Sequence, residues 1–220
     1  AAGTAKIWAA SATAGIPKVY TWSMTGGTFN QTPDVITLSD NAAGGSASVG
    51  PLPNGDFYWN AVGQSARKYS ANGTLIGTIP GEVIATGSNA IRYINTVGGK
   101  EFIITFQFGA GNENARVVEI PGGIPANAAT HVLTPSLGNL ANGNGAGDVS
   151  FKFNNDGTAT LFVLATNNGV GAYKTSTVIP VELAAFEATV SGSAVSLNWT
   201  TITETNNSGF EIQRNISGEW

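Results

Sequence analysis

At 220 residues the chain can hold one large domain or a medium one with an appendage, and its 42% apolar content is ample for a buried core. Charged residues make up only 11%, far below the roughly 25% of an ordinary soluble domain, and the net charge is −4. The lack of cysteine and the single histidine exclude disulfide scaffolds, thiolate metal sites, thiol nucleophiles and any centre needing two imidazoles; so few cations supply no basic stripe for nucleic acid.

The chain opens Ala1-Ala2-Gly3-Thr4, without initiator Met, basic n-region or long apolar run, so the expectation is a processed or partial chain. No stretch approaches the roughly 18 apolar residues of a membrane helix, and no membrane insertion is expected. Helical periodicity fails throughout, because Gly, Pro or Asn interrupts every candidate window. Short runs rich in Val, Ile, Thr and aromatics, closed by Asn-Gly, Asp-Gly or Gly-Gly, read instead as an all-β chain.

Strands are predicted first at Ala5-Lys-Ile-Trp-Ala-Ala10 and Ile16-Pro-Lys-Val-Tyr-Thr-Trp22. A fuller unit runs from Ala47 through a turn at Asn54-Gly55 and Asp56-Phe-Tyr-Trp-Asn-Ala-Val62, then Ala66–Tyr69 and Thr74–Ile79. A similar unit takes Ala90–Asn95, a turn at Gly98-Gly99, Glu101–Phe108 and Ala115–Ile120. A further one takes Asp148–Phe153, a turn at Asn155-Asp156-Gly157, Thr158–Ala165 and Val170–Lys174. The opening strands match the later half of such a unit.

The middle strand of each unit is apolar at odd and even positions alike, so it must be covered on both faces. Antiparallel blades stacked face to face around an axis, as in a β-propeller, provide that cover. The spacing of roughly 45 to 57 residues suits such blades. The alternative is an irregular β-sandwich with look-alike hairpins. About three and a half repeats imply either a small ring or blades missing from this chain. Residues 1–179 are therefore expected to form a propeller-like domain.

From residue 180 the pattern changes. Strict alternation puts Phe186, Ala188 and Val190 on one face, and likewise Val195, Leu197 and Trp199; Phe210-Glu-Ile-Gln-Arg214 alternates again after the loop Glu204–Gly209. The run Pro180-Val-Glu-Leu183, the Leu197-Asn-Trp199 strand and Glu204-Thr-Asn-Asn-Ser-Gly-Phe-Glu-Ile-Gln-Arg214 resemble the opening of a fibronectin type III-like module. That module occurs near the C-terminus of many large secreted bacterial proteins, commonly before a sorting signal of the type IX secretion pathway. Residues 1–179 resemble, more loosely, a propeller-like repeat of such proteins. The resemblance implies an extracellular or cell-surface location. A whole module needs seven strands, of which three are expected within residues 180–220.

Three strands with one apolar face do not form a sandwich alone. Each large side chain left in water would forgo roughly 1.5–3 kcal/mol, so the face is expected to be covered by the rest of the module, by the propeller's own flank or by another subunit, with Phe186, Leu197, Trp199, Phe210, Ile212 and Trp220 as the candidate assembly residues. The functional expectation is a non-enzymatic structural protein, a subunit of a fibre or surface layer that associates with copies of itself. The alternative is a surface adhesin or glycan-binding propeller, with Trp8, Trp22, Trp59 and Tyr58 as candidate stacking rings; as strand residues they read more simply as core.

No cofactor or metal is expected. His131 has no Gly-x-Ser-x-Gly elbow to accompany it and reads as structural. Asp56, Asp148 and Asp156 stand at strand starts and turns, where Asp bonds the backbone, rather than as a carboxylate pair for glycoside hydrolysis. Asn155-Asp156-Gly157 lacks the spacing of a calcium loop. The Gly-rich stretches at 109–111 and 139–147 flank no helix that would make them phosphate cradles. Sequons at Asn30, Asn72, Asn198, Asn206 and Asn215 are coincidental in an Asn- and Thr-rich chain.

Overall fold

The computed structural model describes residues 5–11, 16–40, 45–108, 113–141, 146–154, 156–175, 183–191 and 194–201. Among them the chain is all-β, with one 3-10 turn, Pro125–Asn127, and no α-helix. A first sheet contains β1 (Lys6–Ala10), β2 (Lys18–Thr25), β3 (Thr28–Phe29) and β4 (Asp34–Thr37), with β2 central. The second is a meander of β5 (Gly45–Pro51), β6 (Phe57–Val62), β7 (Arg67–Tyr69) and β8 (Leu75–Thr78). The third is a meander of β9 (Ser88–Val97), β10 (Lys100–Gln107), β11 (Asn114–Pro121) and β12 (Ala129–Leu133). The fourth holds β13 (Gly147–Phe153), β14 (Ala159–Ala165) and β15 (Gly169–Lys174), and β16 (Leu183–Ser191) pairs with β17 (Ala194–Thr201) as a separate hairpin. All pairings are antiparallel.

Turn chemistry sets these registers. Gly98 and Gly99 have φ of +55° and +71° and join Val97 to its partner Lys100. Positive φ at both central residues is the type I′ geometry that matches strand twist.

The first four sheets pack face to face in chain order. Between the first and second, Val19, Leu38, Trp8 and Ile36 meet Phe57, Trp59, Ala61 and Tyr69. Between the second and third, Leu52, Tyr58, Ala66 and Ile79 meet Ile91, Ile103, Val118 and Ile120. Between the third and fourth, Phe102, Ile104, Phe106 and Val117 meet Val149, Phe153, Leu161 and Val163. Strand alternation divides β6 between two interfaces, Phe57 and Trp59 one way and Tyr58 the other. It divides β10 in the same way, Ile103 against Phe102 and Ile104. The expected two-sided cover thus holds for both strands.

The fourth sheet differs. Ala159, Leu161, Val163 and Ala165 are buried, but Phe162 and Leu164 between them are 37% and 47% exposed. Strand β14 is apolar on both faces and covered on one, because no described sheet follows it in the stack. The expected boundary at residues 179/180 lies outside the described residues.

Candidate functional site

Of the residues expected to mediate assembly, Phe186, Leu197 and Trp199 lie in the β16–β17 hairpin; Phe210, Ile212 and Trp220 lie outside the described residues. Phe186 pairs with Trp199, Ala188 with Leu197, and Val190 with Val195. Directly opposed residues share a face of an antiparallel pair, so the register sets Ala188 with Leu197 and Val190 with Val195 in one apolar row. Leu197 is half-buried, Ala188 is exposed, and Val190 and Val195 are 72% and 59% exposed.

The stack carries two more apolar surfaces, one at each end. On the first sheet, Tyr20 and Trp22 alternate with buried Val19 and Thr21, and so point away from the second sheet. Their rings lie 6.3 Å apart, and they pair in register with Val35 and Ile7, which are 51% and 48% exposed. On the fourth sheet, Phe162 pairs with Ala172, and Leu164 with Val170, which is 69% exposed. The hairpin was legible as an apolar row. The end faces were not, since only the third dimension distinguishes an inner sheet from an outer one.

The candidate sugar-stacking rings separate accordingly. Trp59 and Tyr58 are fully buried core, and Trp8 is half-buried with its ring 5.7 Å from Phe57. Trp22 alone of the four stands on an outer face.

A buried polar cluster between the second and third sheets was missed. Lys68 Nζ lies 2.6 Å from Glu101 Oε1 and donates to the Gly123 carbonyl at 3.2 Å, while the Tyr58 hydroxyl donates to Glu101 Oε2 at 2.5 Å. The side chains of Lys68 and Glu101 are only 7% and 12% exposed. Burial first, then the bond to Glu101 and its charge, push the Tyr58 phenol far above its usual range. Period-two reading offered the signal: Glu101 shares a face with Ile103, and Lys68 with Ala66. Every polar end in this cluster has a partner, so it is equipped to clamp two sheets together.

His131 stacks edge-on against Phe102 at 5.3 Å, with Nδ1 3.7 Å from a Glu119 oxygen that also accepts from Lys100. Asp56 accepts from the Ala71 amide, Asp148 from the Val149 amide and Arg92, and Asp156 from the Thr158 amide, its hydroxyl and Lys174. These three carboxylates therefore do the backbone work expected of them. The bonds from Lys174 and Thr158 hold Asp156 far below the usual carboxylate range.

A cleft of about 400 Å³ opens where β5, β9 and β13 begin, with Ser46, Ser48, Asn89, Arg92 and Asp148 on its walls. Another of about 410 Å³ runs between β12 and β15, past Leu133, Pro135 and Tyr173. Neither is lined by His131 or by Glu113, a fully buried carboxylate whose oxygens accept no hydrogen bond among the described residues. Among the described residues no three His, Asp or Glu side chains group to hold a metal ion, and no helix is long and apolar enough to cross a membrane. Compared with known proteins, the chain matches no family model and no curated sequence.

Proposed function

We propose that this chain is part of a non-enzymatic, secreted structural protein: propeller-like blades followed by the opening of a fibronectin type III-like module, associating with copies of itself into a fibre or surface layer. The observation that carries the reading is the β16–β17 hairpin. Its apolar residues align in register, and Val190 and Val195 stand in solvent at 72% and 59% exposure. A lone two-stranded ribbon is marginal in water, so burial of this row against another surface is favourable. Four antiparallel sheets stacked in chain order support the blade-like part of the proposal, and the low charge content opposes close packing little.

Light scattering and electron microscopy of the purified chain test this reading. Particles growing with concentration are expected; a monomer at high micromolar concentration would refute it. A glycan-binding role is the second reading, favoured by the adjacent Tyr20 and Trp22 rings on an outer face. Glycan-array binding abolished by Trp22→Ala would support it.

A further inference from the structure

The four sheets set their first strands side by side: β1 touches β5, β5 touches β9, and β9 touches β13. Strands β5 and β9 meet backbone to backbone at Gly50, where a Cβ would lie 3.0 Å from the Tyr93 nitrogen. Two residues earlier Ser48 still bridges them, its Oγ accepting from the Ile91 amide at 3.1 Å. Before Ser48 the strand turns aside. The β5–β6 register slips between Gly45 and Ser48, and Ser46 within that bulge has a φ of +50°. The cleft of about 400 Å³ opens at this bulge.

Glycine takes a left-handed position freely and other residues take it at a cost. Gly44 and Gly45 stand next to the position in sequence, yet serine occupies it. Bulges re-aim side chains beside functional sites, and a non-glycine residue held at positive φ speaks for use of its side chain. Ser46 is exposed on the cleft wall.

Arg92 and Asp148 line the same cleft and are held in place. Arg92 Nε donates to the Val149 carbonyl and Nη2 to Asp148 Oδ2, both at 2.6 Å, while Asp148 Oδ1 accepts from the Val149 amide at 2.8 Å. The guanidinium plane is thereby fixed, with the two side chains still 49% and 50% exposed. A guanidinium carries five N–H donors and a carboxylate about four acceptor sites. These bonds use two of each, so unspent donors stand beside unspent acceptors. The two charges cancel, which leaves an ion no uncompensated partner. A pair of neighbouring hydroxyls fits instead, because each both donates and accepts.

We propose that this cleft binds a sugar ring through adjacent hydroxyls, with Arg92 and Asp148 as the paired contact and Ser46 as a further one. Its volume is at the small end of the roughly 300–1,000 Å³ of small-molecule sites, which suits a monosaccharide unit. The site is separate from the Tyr20 and Trp22 rings of the outer face and does not depend on self-association.

Saturation-transfer NMR tests it on the full 220-residue chain, with the methyl glycosides of glucose, galactose, mannose, fucose and N-acetylglucosamine as probes. Transfer to at least one glycoside is expected, and Arg92→Lys and Asp148→Asn should each weaken its binding at least about tenfold. A half-exposed pair adds little to stability, so both variants should melt like wild type. Ser46→Gly should weaken binding with Tm unchanged or higher, since glycine adopts that φ without strain; unchanged binding with a lower Tm would make Ser46 a residue of the fold alone. No transfer to any glycoside overturns the proposal. Binding kept in both Arg92→Lys and Asp148→Asn overturns it too, and its loss in Trp22→Ala would then place the sugar on the outer face. Displacement of the glycoside by millimolar sulfate would mark an anion site and overturn it as well. A monomeric chain would refute the fibre reading and leave this one standing.

Discussion

Replacing Lys68 with methionine removes an ammonium that is 7% exposed and leaves the Glu101 carboxylate, 12% exposed, with the Tyr58 hydroxyl alone. Breaking a buried pair from one side costs about 3–5 kcal/mol, because the surviving charge has neither water nor counter-ion. For a chain of this size that lowers Tm by about 6–20 °C. Removing both charges together, as Lys68→Met/Glu101→Leu, deletes the uncompensated charge and should recover most of the loss. The double variant still strands the Tyr58 hydroxyl, at about 1–3 kcal/mol, so adding Tyr58→Phe completes the cycle. Urea unfolding of the wild type, single, double and triple variants measures each step, with a coupling of at least about 3 kcal/mol expected between positions 68 and 101. A Lys68→Met variant within 1 kcal/mol of wild type, or additive singles, would show that the clamp is solvated in solution and the reasoning wrong.

Neighbouring positions on β14 should respond oppositely: Leu161→Ala, in the core, should cost about 2–5 kcal/mol in chemical denaturation. Phe162→Ser, on the outer face, should cost under about 1 kcal/mol in the monomer, and equal costs would contradict the one-sided cover. A Cβ added at Gly147 would lie 2.2 Å from the Phe106 ring and 2.6 Å from the Leu164 carbonyl. Gly147→Ala should therefore destabilise by about 1–3 kcal/mol through overpacking, and an unchanged Tm would refute that close approach. Burial, then the bond and charge of Asp40, raise the Tyr69 phenol well above its usual range. The folded state holds that proton more tightly than the unfolded chain. Stability is thus constant below about pH 10 and falls above it, by about 1.4 kcal/mol per pH unit for each such phenol. Melts of Tyr69→Phe between pH 9 and about 11.5 should show a shallower decline, and an unchanged slope would count against it.

How much of this was legible in the residues depended on the kind of signal. The double-sided apolar runs of β6 and β10, and their glycine turns, specify strands covered on both faces, and that is how they sit. Strand β14 carries the same pattern with one face open, because pattern reports what a strand can bury and not whether a neighbour exists. The strands β4 and β12 went unread: Asp34-Val-Ile-Thr37 and Ala129-Thr-His-Val-Leu133 are short, partly polar edge strands, which alternate too briefly to stand out from loop. Lys68 and Glu101 are 33 residues apart in sequence, and only the stacking of their sheets brings them together.

The packing of the four sheets has a mechanical side. Substantial contact between sheets runs from each one to the next in the chain, through β1 and β5, β5 and β6 with β9, and β9 and β10 with β13. Stability in such an arrangement is a sum over nearest neighbours, as in linear repeat arrays. A defect in the third sheet severs two junctions, and one at either end severs a single junction. Pulled by its ends, the chain would surrender its sheets one after another, lengthening in steps instead of rupturing at once.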